Sequence, residues 1–196
     1  MHILLVTAHP NSKDSFTAAL RARYHTLVKN NPAYTLAEMD LYDPQWQQEY
    51  FTFDSETHPD FKQTRERIQE AITRADELVF AHPLWWGSPP AVLKNWLDAN
   101  LTSGFAYKHR PNLPKWRRRL WPLPSYRLLS GKSGKVFVTG DSPFWTQLLM
   151  GLPFLVTWGF SVFLYTGIRP RSLRYFGSMR LRSSEEIAKI LETIRL

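Results

Sequence analysis

The sequence contains no cysteine, only nine glycines in 196 residues, and no low-complexity tract. The missing thiols exclude a disulfide framework, a cysteine nucleophile and thiolate metal ligands, and they fit a reducing compartment. A cytoplasmic location is therefore expected. The loop after the first apolar run, "AHPNSKDSF", has no glycine, so it is neither a Walker loop nor a dinucleotide fingerprint. "SGKSGK" at 130–135 imitates a phosphate loop, but Tyr126 stands where the first glycine belongs and the stretch precedes a strand. No two histidines have zincin spacing, and no metal is expected. No serine sits in a nucleophile elbow. The opening "MHILLVTAHP" is broken by His9-Pro10 too early for a signal peptide and reads as a strand. Without repeats or an internal linker, residues 1–196 are expected to form one domain with a sizeable core.

What the chain does have begins with charge. Its formal net charge is +8. Part of this comes from Arg117, Arg118 and Arg119, flanked by Trp116 and Trp121. Basic residues among aromatics can meet single-stranded nucleic acid or a membrane surface. The preferred reading is a solvated loop with its tryptophans folded beneath, with no nucleic-acid partner and peripheral membrane contact as its alternative use. A second feature is the stretch from Ser142 to Ile168, which has no charged residue. It is long enough to span a bilayer. Gly151, Pro153 and Gly159 interrupt it, however, and Thr146, Gln147, Thr157 and Ser161 dilute it, so a buried helix reaching a subunit interface is expected.

Strand-like and helix-like runs alternate along the chain. Strands are expected at His2 to Thr7, Tyr34 to Leu41, Glu77 to His82, Lys135 to Thr139 and Arg171 to Phe176. Helices are expected at about Phe16 to Asn30 and Phe61 to Ala75. A third should be capped by Ser88, with Pro89 in its first turn and Val92, Leu93, Trp96 and Leu97 as its apolar stripe. A further helical segment should end near Gly167. Ser183-Ser184-Glu185-Glu186 is a capping box for the last helix. This alternation implies a parallel sheet covered on both faces, with ligands bound beyond the C-terminal strand ends. The loops 8–16, 83–88 and 140–145 would then share one edge.

Two of these loops carry unusual residues. In the first, Ser15 and Thr17 hydroxyls and the N–H groups of the following helix suit a phosphate, though an ordinary helix cap needs the same residues. In the second, "HPLWWGSPP", Leu84, Trp85 and Trp86 offer one wall for a flat aromatic ligand, and Gly87 permits close backbone approach. The same indoles could instead be core beneath the loop.

Three segments, "AHP…SF", "HPLWWGSPPAVLKNWLD" and "GFAYK" at 104–108, closely resemble the flavin-dependent NAD(P)H:quinone reductases of the DT-diaphorase type, which have a flavodoxin-like fold. The resemblance covers residues 1 to 108. It implies an α/β, flavodoxin-like three-layer sandwich with a five-stranded parallel sheet. It also implies a bound flavin (FMN or FAD, with FMN ahead) and NAD(P)H as co-substrate. By this likeness His9, Ser15, Phe16 and Thr17 would hold the flavin phosphate. Pro83, Leu84, Trp85, Trp86 and Gly87 would line the isoalloxazine, together with Thr139, Gly140 and Asp141. The family is usually homodimeric, so Phe105, Tyr107 and His109 would cover the ring of a partner chain. The chemistry would lie at flavin N5, with no catalytic side chain, and the acceptor would be a quinone-like small molecule.

Beyond residue 108 the likeness weakens. Where the family often has Thr-Thr-Gly-Gly, this chain has Val138-Thr139-Gly140-Asp141, and the family's following tyrosine and histidine have no counterpart. Asp141 is expected to cap a helix beginning near Pro143. Residues 110–133 form an insertion relative to the short members. Two other functions compete: an ancillary flavoprotein regulating a membrane transporter, favoured by the Arg/Trp insertion, and a flavodoxin-like electron carrier. The carrier is disfavoured because its surface should be acidic.

Overall fold

The computed structural model describes residues 1–111, 114, 116 and 123–196. Arg117, Arg118, Arg119 and Trp121 of the basic insertion lie outside the described residues. Five strands form one parallel sheet: β1 (His2–Thr7), β2 (Thr35–Asp40), β3 (Glu77–Pro83), β6 (Ser133–Thr139) and β7 (Arg169–Phe176). Their order is β2-β1-β3-β6-β7. Two short strands, β4 (Tyr107–Lys108) and β5 (Tyr126–Arg127), pair antiparallel at the base of the insertion.

The sequence pattern accounts for this arrangement. Every residue of β3 and β6 is buried, as central parallel strands covered on both faces require. Successive side chains of a strand alternate between faces. Thus Ile3 and Leu5 of β1 join Val79, Ala81 and Phe137 beneath helices α1 (Phe16–Lys29) and α6 (Ser184–Glu192). Leu4 and Val6 join Leu78, Phe80, Val136 and Val138 beneath α2 (Pro59–Arg74), α3 (Ala91–Asn100) and a later helix. The result is the expected three-layer α/β sandwich. The capping box also forms: Ser183 Oγ accepts from the Glu186 N–H (3.2 Å), and Glu186 Oε2 accepts from the Ser183 N–H (2.8 Å).

The uncharged stretch is not one helix. It folds as α4 (Phe144–Leu149), a left-handed turn at Gly151 and Leu152, then α5 (Pro153–Leu155), which runs on as a π-helix, Val156–Leu164. Gly167, with φ +89°, ends the segment as expected. Trp158, Val162 and Phe163 are buried, whereas Trp145, Leu148, Leu149, Met150 and Val156 are exposed. Among the described residues no helix is long and apolar enough to cross a membrane.

Two expected caps are corrected. Ser88 does not cap α3, because its backbone exchanges two 2.9 Å hydrogen bonds with Trp85 in a tight turn. Pro90 takes the N-cap position instead, its carbonyl accepting from the Leu93 and Lys94 N–H groups. Asp141 does not cap α4 either. Pro143 precedes that helix without any side-chain cap, and Asp141 is ion-paired elsewhere.

Candidate active site

The strand order reverses between β1 and β3, which opens a crevice beyond their C-terminal ends. A cavity of about 490 Å³ lies on that edge of the sheet. Its lining draws His9, Ser15 and Phe16 from the first loop, Pro83, Leu84 and Trp85 from the third-strand loop, and Thr139, Gly140 and Asp141 from the loop after β6. Nine of the twelve residues expected to bind a cofactor therefore converge there, from segments more than 120 positions apart in the chain.

The first loop is held by its own polar side chains. The Asn11 N–H donates to His9 Nδ1 (3.1 Å), and Asn11 Oδ1 accepts from the Lys13 and Asp14 N–H groups. Ser15 is the N-cap of α1: its Oγ accepts from the Ala18 N–H (3.1 Å), and its carbonyl accepts from the Ala19 N–H. The N–H groups of Phe16 and Thr17, in the first turn, have no intrahelical acceptor and carry the positive end of the helix dipole. Thr17 itself is buried and does not line the cavity.

The apolar wall is fixed from behind. His82 is fully buried at the end of β3. Trp158 of the π-helix donates its indole N–H to His82 Nε2 (2.9 Å), so Nε2 is the unprotonated nitrogen, while Nδ1 donates to the Pro83 carbonyl (2.8 Å). Burial pushes the imidazole down to about pKa 4, so it is neutral at ordinary pH. His82 thus acts structurally, tying the helical layer to Pro83. The Leu84 N–H then donates to the Thr139 carbonyl (2.7 Å), joining the two loops.

Past Leu84 the chain turns sharply through Trp86 (φ +51°) and Gly87 (φ +76°). Positive φ at both central residues marks a type I′ turn, which glycine and asparagine favour. A tryptophan there is strained. The consequence is a division of labour: Trp85 lines the cavity, whereas Trp86 projects fully into solvent and Gly87 stands against Met150 and Pro153. Trp86, Gly87 and Thr17 are the three expected cofactor residues that the cavity does not include.

Gly140 is required for packing. A Cβ on it would lie 2.3 Å from the Tyr175 hydroxyl, which donates to the Ser142 carbonyl (2.8 Å). Asp141 lines the cavity and pairs with Arg180 Nε (2.9 Å). Asp14, Met179, Arg180 and Ile187 also line the cavity, and none is among the residues expected from the sequence. Met179 and Arg180 come from the turn after β7, the fourth loop on the same sheet edge, and that position was the available signal.

Phe105, Tyr107 and His109 lie away from this cavity, on the α2/α3 side of the sheet. Tyr107 and Tyr165 pack edge to face with centroids 4.9 Å apart, and His109 Nε2 is 3.1 Å from the Tyr165 hydroxyl. Within one chain these residues do not meet the candidate site.

A family model described as the flavodoxin-like fold matches residues 1–195. The chain belongs to that family. Among curated proteins it is 44% identical over 68 residues to the glutathione-regulated potassium-efflux system ancillary protein KefF of Enterobacter sp. (strain 638), over 35% of this chain and 39% of that one. The matched segments span about half or less of such relatives' length. Among solved structures, the NAD(P)H:quinone oxidoreductase of Methanothermobacter marburgensis superposes with a TM-score of 0.75 at 21% identity, covering 98% of this chain and 92% of that one. An FMN-dependent NADH-azoreductase of Bacillus anthracis, solved in complex with FMN, gives a TM-score of 0.73 at 14% identity, covering 98% and 94%. At these identities both structures speak for the fold of this chain.

Proposed function

We propose that this protein is a flavin-dependent oxidoreductase that uses NADH or NADPH to reduce quinones or similar small acceptors. The observation that carries this reading is the convergence of three strand-end loops on one cavity with an apolar wall at Leu84 and Trp85 and a helix N-terminus opposite. That combination suits a flat heteroaromatic ring bearing a phosphate. FMN is the preferred cofactor: its single phosphate would meet the Phe16 and Thr17 N–H groups, with the Ser15 hydroxyl beside them. When bound, flavin supplies the hydride chemistry, accepting it from the nicotinamide and passing it to the acceptor.

The protein's own residues position and enclose. Leu84 and Trp85 would bear on the ring face, and the Leu84–Thr139 hydrogen bond keeps that wall in place. Asp141 puts a carboxylate at the rim, where Arg180 neutralises it.

The functional unit in this reading is a homodimer. Trp86 of the site's turn and Trp145, Leu148, Leu149, Met150 and Val156 of the segment that packs against Gly87 are exposed apolar side chains. A second copy seated there would cover them and could bring its Phe105, Tyr107 and His109 over the ring. Sedimentation equilibrium tests this. A dimer that Trp86→Ala and Leu149→Glu convert to monomer supports it; a wild-type monomer at micromolar concentration overturns it.

A second reading, an ancillary flavoprotein on a membrane transporter, is favoured by the 44% identity to KefF over 68 residues. It is compatible with oxidoreductase activity, and the Arg/Trp insertion would be its peripheral contact. Retention on membranes that high salt releases supports it, and an entirely soluble distribution at low salt counts against it.

A further inference from the structure

At the opposite end of β6 and β7 from the candidate active site lies a smaller cavity, of about 250 Å³. It sits on the α1/α6 face, where α6 stops at Glu192 and the last residues, Thr193 to Leu196, close over the sheet. The two cavities share no lining residue. Among the residues lining the smaller one are Lys135, Arg171, Arg174 and Arg195, and none is aspartate or glutamate.

One carboxylate faces this group from a neighbouring strand. Glu77 is completely buried; its Oε1 accepts from the Ser133 hydroxyl (3.0 Å), and its Oε2 is ion-paired with Lys135 Nζ (2.9 Å) without a hydrogen bond of its own. Arg171 stands further off, at 3.7 Å. Arg195 bonds to main-chain carbonyls, including that of Ile194 (3.2 Å). Even with a free carboxylate counted on Leu196, the four cations exceed the two anions by two charges.

Edge-strand protection explains some of these residues, because charged side chains on an edge discourage pairing with other chains. That accounts for Arg169, which is exposed at the edge, and for part of Arg171, whose guanidinium also reaches to 3.7 Å from Glu77. It does not account for Arg174. This guanidinium is half-buried, lies over the Phe176 ring (4.8 Å to its centroid), and is shifted below its ordinary pKa by desolvation alone. The Phe176 ring face offsets part of that desolvation, and an anion in the cavity would offset more of it.

We propose that the Lys135–Arg171–Arg174–Arg195 cavity binds a phosphoryl dianion, a small phosphate ester or the phosphate of a lipid headgroup. Arginine pairs bind phosphate oxygens in a forked geometry that suits this charge. The volume is below the 300–1,000 Å³ common for drug-sized ligands, which favours a compact anionic group over a dinucleotide. The assignment is independent of the flavin reading.

Two probes test it on the full chain at constant ionic strength: pyrophosphate by titration calorimetry, and phosphatidic acid against phosphatidylcholine vesicles by sedimentation. Arg174→Gln should weaken the bound probe at least about tenfold, the loss of one charge-assisted hydrogen bond. Arg174→Lys should restore part of the affinity, and Arg180→Gln, at the other cavity, should leave it unchanged. Pyrophosphate binding without vesicle binding identifies a free ester; selective binding to phosphatidic acid vesicles identifies a headgroup. Should Arg174→Gln fail to fold, Arg171→Gln serves in its place. Binding of neither probe, or binding that survives the arginine substitutions, overturns the proposal.

Discussion

Two pairs of tryptophans occupy opposite environments in this molecule. Trp96 and Trp158 are buried, and each indole N–H has a partner, Met39 Sδ for Trp96 (3.2 Å) and His82 Nε2 for Trp158. Trp85 is 43% exposed and Trp86 wholly so, on a turn whose backbone Trp86 strains. The buried pair is what folding needs. The exposed pair contributes little to a lone chain; under the proposed function its contribution would come from the ligand and the partner copy.

The largest expected difference is in stability. Trp158→Ala should cost about 3–5 kcal/mol, the usual price of deleting a buried tryptophan, and should also leave His82 without its donor. Trp86→Gly should instead stabilise the ligand-free monomer by about 1 kcal/mol, because it relieves a left-handed conformation. Urea denaturation of the two variants measures both. Equal losses would erase the distinction between the pairs.

Acid should sharpen it next. His82 is held neutral down to about pH 4 in the folded chain, whereas an unfolded histidine takes up a proton near its ordinary value of 6.5. Between those values the unfolded state binds more protons. The stabilisation is therefore present above pH 6.5 and is lost as pH falls toward 4, by up to about 3 kcal/mol. Unfolding free energies measured across this range should show the slope, and His82→Gln should flatten it.

The helix cap gives a smaller effect. Because Ser15 caps α1, Ser15→Ala should cost the cofactor-free chain about 1 kcal/mol as well as weakening flavin retention. Thermal melts of stripped and loaded protein separate the two contributions. A variant that loses stability but keeps full flavin affinity would reduce Ser15 to a cap alone.

The smallest effect should be at Asp141, whose partner Arg180 is exposed. Asp141→Asn should change stability by less than about 0.5 kcal/mol, since such surface pairs contribute little. A larger change in a denaturant titration would mean that the pair fastens the turn after β7.

The sheet was legible because its signals are continuous: the short apolar runs Leu78-Val79-Phe80-Ala81 in β3 and Val136-Phe137-Val138 in β6 read as strands covered on both faces. The convergence of loops followed from strand direction alone. Local detail was harder to read. Ser88 before Pro89-Pro90 carries a cap signature, yet the turn through Trp86 and Gly87 takes up its backbone groups. Asp141-Ser142-Pro143 reads as a helix start, but Arg180, nearly forty residues later, claims the carboxylate. The π-helix has no sequence signature, and neither does the contact from Trp158 to His82. Adjacent tryptophans look alike in sequence; the positive φ at Trp86 is what sends one indole into the cavity and the other into solvent.

The central claim is that the cavity at the ends of β1, β3 and β6 holds flavin against Trp85. Titration of FMN into the purified, flavin-stripped chain, followed by quenching of flavin fluorescence, tests it most directly. One FMN per chain should bind, and Trp85→Ala should weaken that binding roughly two- to twelvefold, the equivalent of about 0.5–1.5 kcal/mol of aromatic contact. Absence of FMN binding to the wild-type chain, or full affinity in Trp85→Ala, would contradict it.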